Sequence, residues 1–178
     1  VRRIIEYCIK YNVKTLTLYA FSTENWKRPT KEVDGLIKLF SESISKESKK
    51  IHSNNIKLNF IGDTSTFTEA LQLKIKEIEK ETFGNKKLIL NVALNYGGRL
   101  DIVNSVNTFY SKKKKIKNIT ENDINSGLYT KGHSDVDLLI RTGGQQRMSN
   151  FLLWQSAYAE LFFSKKLWPD FDEKIFVD

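Results

Sequence analysis

The sequence predicts an α/β fold with a central, mostly parallel sheet flanked by helices. Three observations carry this expectation. Segments of strand length alternate along the whole chain with segments whose apolar residues recur at helical spacing. One of the strand segments, Lys87–Asn95 (KLILNVALN), is apolar almost throughout, as parallel strands covered on both faces are. Three polar loops, Ser22–Pro29, Asn95–Arg99 and Arg141–Asn150, follow strand segments, and the carboxyl ends of parallel strands are where such sheets hold ligands.

Taken in order, Val1, Ile4, Ile5, Cys8 and Ile9 keep a helical spacing that ends near Asn12. Val13–Phe21 (VKTLTLYAF) follows as a strand, with Leu16, Leu18 and Ala20 on one face and Thr15, Thr17 and Tyr19 on the other. Ser22–Thr30 (STENWKRPT) is polar, carries a proline and reads as a loop. From Lys31 to about His52 a long helix is expected, with Val33, Leu36, Ile37, Phe40 and Ile44 as its buried stripe. Ile56–Gly62 alternates as a strand. Phe67 to about Phe83 is helical, with Leu71, Ile75 and Ile78 in step and Thr66 as its N-cap. After Lys87–Asn95 the pair Gly97-Gly98 breaks the strand, and Leu100, Ile102, Val103, Val106 and Phe109 open another helix. The Lys112–Lys117 run reads as a solvated helix end. Val136–Ile140 and Ala159–Phe163 are short strands. Pro169 starts a final helix, with Asp170, Asp172 and Glu173 at its positive end. No linker or repeat interrupts the pattern, so residues 1–178 are expected to form one domain.

Composition narrows the function. With 40% hydrophobic and 12% aromatic residues the 178-residue chain is neither disordered nor fibrous. Cys8 is the only cysteine, which excludes an internal disulfide, and with His52 and His133 it makes a poor zinc kit. No apolar run reaches the roughly 18–20 residues that span a bilayer, and the first residues lack the apolar core of a signal peptide. A cytoplasmic setting is expected. The net charge of +8 invites an anionic partner, although much of it sits in the lysine run. The chain opens on Val1 and its only methionine is Met148, so it reads as an internal fragment, short at both ends.

The loop Arg141-Thr-Gly-Gly-Gln-Gln-Arg147-Met-Ser149-Asn places two guanidinium groups and a hydroxyl around paired glycines. Glycine lets the backbone turn its N–H groups toward a ligand, and arginine offers a planar fork that fits phosphate oxygens. This loop is therefore expected to bind a phosphate or diphosphate; the alternative is that Gly143-Gly144 only makes a tight turn. Ser22–Pro29 adds Arg28, Asn25 and Trp26, the tryptophan being either exposed or a plug over the core. The glycines of Asn95–Arg99 are explained by a strand-to-helix turn alone. Neither a P-loop nor a Gly-x-Gly-x-x-Gly pattern occurs, and there is no Asp-Asp-x-x-Asp cluster.

These residues carry a resemblance. Leu18–Pro29 (LYAFSTENWKRP), Asn95–Arg99 (NYGGR), Asp137–Gly144 (DLLIRTGG), Arg147–Gln155 (RMSNFLLWQ), Ala157–Phe163 (AYAELFF) and Leu167–Phe171 (LWPDF) resemble, in this order, the signature blocks of the cis-prenyltransferases. The resemblance implies a Mg²⁺-dependent cytoplasmic homodimer that condenses isopentenyl diphosphate onto farnesyl diphosphate in repeated cis additions. The product would be a long-chain, undecaprenyl-type diphosphate, a carrier-lipid precursor for cell-wall glycan. It also implies a sheet and helices around a hydrophobic tunnel, with Ala20, Ile56, Leu88 and Leu94 on its wall. Arg141, Arg147, Met148 and Ser149 match the site for the isopentenyl diphosphate; Ser22, Thr23, Glu24, Trp26 and Arg28 match a substrate-contacting loop. Asn25 matches the asparagine tied to proton removal. Since a neutral amide is a poor base, it is expected to position the proton or a water while a diphosphate oxygen accepts it. Glu160 matches an acid that helps hold Mg²⁺, and Glu32 an acid of the hinge region or equally a first-turn helix acid.

The sequence departs from the family pattern in three places. The Asp-Gly-Asn-Gly block that carries the metal-binding aspartate would precede Val1, so the fragment alone is expected to be inactive; Asp34-Gly35 does not replace it. Gln145-Gln146 stands where relatives carry an acidic or Glu-His pair, and Leu94 stands where many carry alanine, which bears on product length. A non-catalytic partner subunit of the same fold is the rival within the family. A basic nucleic-acid-binding domain is the rival outside it, disfavoured because the lysines cluster away from Trp26. No nucleic-acid partner is expected, whereas peripheral contact of the lysine run with anionic lipid is compatible with the enzyme reading.

Overall fold

A computed structural model describes residues 1–112, without the side chain of Lys112, and residues 118–177. The expectation for the Lys112–Lys117 run therefore falls outside the described residues. Helices and strands alternate as α1 (Arg2–Lys10), β1 (Thr15–Ser22), α2 (Thr30–Ser53), β2 (Ile56–Ile61), α3 (Glu69–Thr82), β3 (Leu88–Tyr96), α4 (Gly98–Lys112), α5 (Glu121–Gly127), β4 (Leu138–Arg141), β5 (Glu160–Phe163) and α6 (Glu173–Val177). Every strand pairing among the described residues is parallel. The α/β class and the parallel pairing are thus as expected. Among the described residues the strands pair in the orders β1-β3-β2 and β4-β5. Each set belongs to one of two compact units, Val1–Tyr96 and Gly97–Asp178.

In the first unit β3 lies between its two neighbours, with Leu90 opposite both Leu16 and Leu58. Its central position explains its continuous apolar pattern. One face of the sheet packs on α2 and α3 through Phe21, Val33, Phe67, Leu71, Ile75 and Leu94, with Phe60 and Val92 against them. A polar rung crosses the three strands where Thr17, Asn91 and Asn59 stand in register. Asn91 is buried there, accepting from Asn59 Nδ2 at 3.0 Å and donating to Thr17 Oγ1 at 3.3 Å, so its amide is not left unsatisfied.

β2 lies at one edge of this sheet, and α3 together with the residues after it covers its outer side. Leu58 N donates to Thr82 Oγ1 (3.1 Å), Phe60 N to Glu79 Oε1 (2.7 Å), and Asn85 Nδ2 to Ile56 O (2.8 Å). These bonds occupy backbone groups that an exposed edge would offer to another chain.

Two helix starts differ from the expectation. Thr66 does not cap α3: it ends a 3-10 turn, Thr64–Thr66, set by Asp63, whose side chain accepts from Ser65 N at 3.0 Å. Phe67 is buried and extended after that turn, so α3 begins at Glu69 behind Thr68. Pro169 likewise lies in a 3-10 turn, Trp168–Asp170. Buried Phe171 follows it, and Asp172 Oδ1 accepts from Ile175 N (3.1 Å) at the start of α6. In the second unit α5 was not foreseen. Its signal is a reciprocal cap in which Asp123 N donates to Thr120 Oγ1 (3.2 Å) and Thr120 N to Asp123 Oδ2 (3.1 Å).

Candidate functional site

The candidate residues of the first unit sit at the carboxyl end of β1. The pairing with β3 passes from Tyr19↔Ala93 to Phe21↔Leu94, leaving Ala20 exposed without a partner at the irregularity. The segment expected as a loop is instead a 3-10 turn, Thr23–Lys27. A reciprocal cap winds it. Asn25 Oδ1 accepts from Ser22 N at 2.7 Å and from Ser22 Oγ at 3.1 Å. Both acceptor positions of that oxygen are used, so the Asn25 Nδ2 donor, which has no partner among the described residues, is what the side chain offers outward.

Trp26 satisfies both readings given to it. Its ring is 5.2 Å from that of Phe21 and 5.9 Å from that of Phe67, yet it is 39% exposed. Its indole Nε1 donates to Asn95 Oδ1 at 2.8 Å. Thr23 Oγ1 donates to Glu24 Oε2 (3.1 Å), and Arg28 Nη1 to Glu32 Oε1 (2.5 Å) in the first turn of α2. Below the turn, Tyr19 donates to Tyr96 O at 3.0 Å. Burial and the nearby Glu24 carboxylate push its phenol up to about 12, so it stays protonated at neutral pH.

The residues assigned to a tunnel wall lie in the same unit. Ile56 and Leu88 are register partners, and strand alternation puts Leu94 on the same face of β3 as Leu88. All three are buried, with Leu94 inside the α2–α3 core cluster, while Ala20 is exposed.

In the second unit Arg141 ends β4, and its Nη1 donates to Arg147 O (2.6 Å) and to Ser149 Oγ. Arg147 Nη1 donates to Gln145 Oε1 at 2.5 Å. The structure therefore gathers Arg141, Arg147 and Ser149 into one exposed cluster, with Met148 between them. The paired glycines, however, do not turn their N–H groups outward. Gly143 N donates to Lys166 O (2.7 Å) and Gly144 N to Ser164 O (2.9 Å), with φ of 85° and 75°. The left-handed backbone makes the tight turn and carries hydrogen bonding past the end of the β4–β5 pair, which corrects the ligand-facing reading. The free donors are elsewhere. The N–H groups of Arg147, Met148 and Ser149 have no acceptor among the described residues, and Ser149 and Asn150 follow at φ 50° and 61°.

Glu160 opens β5 with its N–H on Asp137 O at 2.9 Å, and its exposed carboxylate has no partner among the described residues. Among those residues no group of three His, Cys, Asp or Glu side chains could hold a metal. A lone carboxylate still suits Mg²⁺, which takes one or two carboxylates and fills its shell with phosphate oxygens and water.

Two residues of consequence had no role in the sequence reading. Asn150 caps α4 by accepting Gly98 N on its carbonyl (2.7 Å) and Arg99 N on Oδ1 (2.9 Å). Asn95 holds Trp26. Both asparagines have positive φ, 61° and 46°. An asparagine just past a strand or beside a glycine turn is the available signal.

The chain was compared with known proteins. The family model described as "Putative undecaprenyl diphosphate synthase" matches residues 1–178. The chain belongs to this prenyltransferase family. A ditrans,polycis-undecaprenyl-diphosphate synthase, (2E,6E)-farnesyl-diphosphate specific, from Pasteurella multocida is 51% identical over 99% of this chain and 75% of its own length. The synthase of the same name from Yersinia pestis is 48% identical over 99% and 71%. Among solved structures, a probable undecaprenyl diphosphate synthase from Campylobacter jejuni matches with a TM-score of 0.91 and 36% identity, over 99% of this chain and 82% of that one. Lavandulyl diphosphate synthase from Lavandula x intermedia, in complex with dimethylallyl diphosphate, matches with a TM-score of 0.93 and 34% identity, over 99% and 78%. In this chain the Arg141–Ser149 segment follows β4 and the Ser22–Arg28 turn follows β1, each at a strand's carboxyl end.

Proposed function

We propose that this prenyltransferase condenses isopentenyl diphosphate onto farnesyl diphosphate in successive cis additions, giving an undecaprenyl-type diphosphate. The observation that carries the reading is the cluster of Arg141, Arg147 and Ser149, with the free N–H groups of residues 147–149 beside it. Two cationic forks, a hydroxyl and unpaired backbone donors match a diphosphate in charge and in number of donors. The relatives named as farnesyl-diphosphate-specific undecaprenyl-diphosphate synthases support farnesyl diphosphate as the allylic primer.

In this reading Arg141, Arg147 and Ser149 hold the isopentenyl diphosphate. The apolar sheet face of Ile56, Leu88 and Leu94 belongs with the prenyl tail, which gains about 0.8 kcal/mol per buried CH₂. The isopentenyl double bond supplies the electron pair of the new carbon–carbon bond, the allylic carbon–oxygen bond breaks, and its electrons leave with the diphosphate. Loss of a proton then restores the double bond. Asn25, offering a donor and no free acceptor, orients a diphosphate oxygen or a water that takes this proton. Thr23, Glu24 and Arg28 shape the turn around it. Mg²⁺, with Glu160 among its ligands, would neutralise charge building on the leaving diphosphate when bound.

A homodimer in the cytoplasm is part of the proposal. No helix among the described residues is long and apolar enough to cross a membrane, so a product of this length would be handed to a bilayer by peripheral contact. The test is incorporation of radiolabelled isopentenyl diphosphate, primed by farnesyl diphosphate, in the enzyme that carries this chain. Arg147→Ala is expected to lower incorporation roughly 10- to 100-fold, the weight of one or two charge-assisted hydrogen bonds. Unchanged incorporation overturns the site, and incorporation that does not depend on farnesyl diphosphate overturns the substrate assignment.

A further inference from the structure

We propose that Asn95 is a positioning residue for the condensation: by holding the Trp26 indole it fixes the Ser22–Arg28 turn and thereby the Asn25 carboxamide. The proposal rests on the reading of that turn as substrate-contacting.

Asn95 is a polar side chain, 5% exposed, at the end of an apolar strand, and a buried amide has to be bonded to be tolerated there. It is bonded on both sides. Its Oδ1 accepts from Trp26 Nε1 at 2.8 Å, while its Nδ2 donates to Asp63 O at 2.9 Å and to Thr66 Oγ1 at 3.1 Å. Three separate segments of the first unit thus meet on one amide: the turn after β1, the turn after β2, and the end of β3. Its backbone is at φ 46°, a left-handed conformation that asparagine adopts more readily than most residues. The neighbouring backbone is built for this approach. Gly62 has φ 117°, and a Cβ there would land on the Leu94 carbonyl oxygen, so only glycine lets the end of β2 press close enough for Asp63 O to reach Asn95.

The consequence falls on the turn. Its amino end is held by the Ser22–Asn25 cap, which ties Asn25 Oδ1 to the last residue of β1. Trp26 adjoins Asn25 and anchors the turn on its far side, through ring packing on Phe21 and Phe67 and through the directional bond to Asn95. Ring packing permits the indole to slide or tilt; the hydrogen bond fixes its angle. A leucine at residue 95 would fill the space as well but would set no angle, which is the argument for positioning over packing.

Trp26→Phe removes the indole donor and keeps a ring; Asn95→Gly removes the side chain and keeps the left-handed backbone; Asn95→Asp keeps the acceptor for Trp26 and loses both donations. Trp26→Phe and Asn95→Gly are each expected to lower kcat about 5- to 10-fold, the weight of one hydrogen bond, with less than a twofold change in KM for isopentenyl diphosphate. The double variant should be no worse than the poorer single one, because the Trp26–Asn95 bond is lost in both. Asn95→Asp should retain most of kcat. A second readout does not need turnover. Among the indole N–H resonances in an ¹⁵N spectrum, the one lost in Trp26→Phe should shift in Asn95→Gly. Additive losses of kcat, or a Trp26 resonance unmoved in Asn95→Gly, overturn the proposal. Should Asn95→Gly fail to fold, Trp26→Phe decides: an unchanged kcat overturns the proposal, and a loss of about 5- to 10-fold with KM for isopentenyl diphosphate held supports it. A wild-type enzyme that incorporates no isopentenyl diphosphate overturns the proposed function instead, with the resonance still reporting the tether.

Discussion

Asn25 accepts on its oxygen from Ser22, so what it presents outward is a donor. That single orientation decides its chemistry more firmly than the residue type does, since an amide with its acceptor positions filled can steer a proton's destination but cannot take the proton. Asn25→Asp tests this at the residue scale. The carboxylate preserves the cap on Ser22, so the turn and the melting temperature should hold. It puts negative charge where a donor faced diphosphate, so incorporation of isopentenyl diphosphate should fall about 100-fold or more, the order expected when a transition-state donor is lost. Retained activity would mean that the outward Nδ2 is not used. The glycines of the Arg141 loop make the same point in reverse. Gly143 and Gly144 have the flexibility of an anion-binding loop, but their N–H groups are bonded to Lys166 and Ser164. Their residue type was legible; the direction of their donors was not.

At the scale of elements, α3 has two tasks. Its apolar stripe packs on the sheet through Leu71 and Ile75, and its polar side meets the free edge of β2 through Glu79 and Thr82. Burial raises the Glu79 carboxyl above the ordinary range, with the bond from Phe60 N pulling the other way. A folded-state value above the unfolded one means that the native protein binds the proton more tightly. Glu79 therefore favours the fold most at pH below the unfolded value, and its contribution falls as pH rises through the raised folded value. Glu79→Gln keeps an oxygen for Phe60 N and removes the ionisation. It should flatten the pH dependence of the melting temperature above the ordinary carboxylate value, without loss of stability at pH 7. Glu79→Ala strands the Phe60 N–H and should cost about 1–3 kcal/mol in denaturant titration. Equal pH profiles for Glu79→Gln and wild type would refute the assignment.

For the whole molecule, diphosphate binding should appear as stability. Anything that binds only the native state stabilises it by RT ln(1 + [L]/Kd), about 2.7 kcal/mol at 100 times Kd. Isopentenyl diphosphate should therefore raise the unfolding midpoint of the wild type, with a smaller rise in high salt because the arginine cluster is exposed. Arg141→Ala should reduce that rise, and an equal rise in both proteins would place the binding elsewhere. The alternation of periods, the apolar β3 and the arginine- and asparagine-bearing strand ends were all readable in the sequence, because patterning and residue chemistry are local properties of the chain. The order in which the strands pair was not, since partner choice depends on edges far apart in sequence. Nor was the Thr64–Thr66 turn that displaced the expected Thr66 cap, where Asp63 accepts from Ser65 N and winds a separate turn. The sequence by itself determined the kind of chemistry, two guanidinium groups for a diphosphate and a turn carrying Asn25. Only the tertiary structure decided which donors are free, because Ser22, Ser164, Lys166 and Asn95 reach their partners through folding and thereby set which hydrogen-bonding groups remain for a ligand.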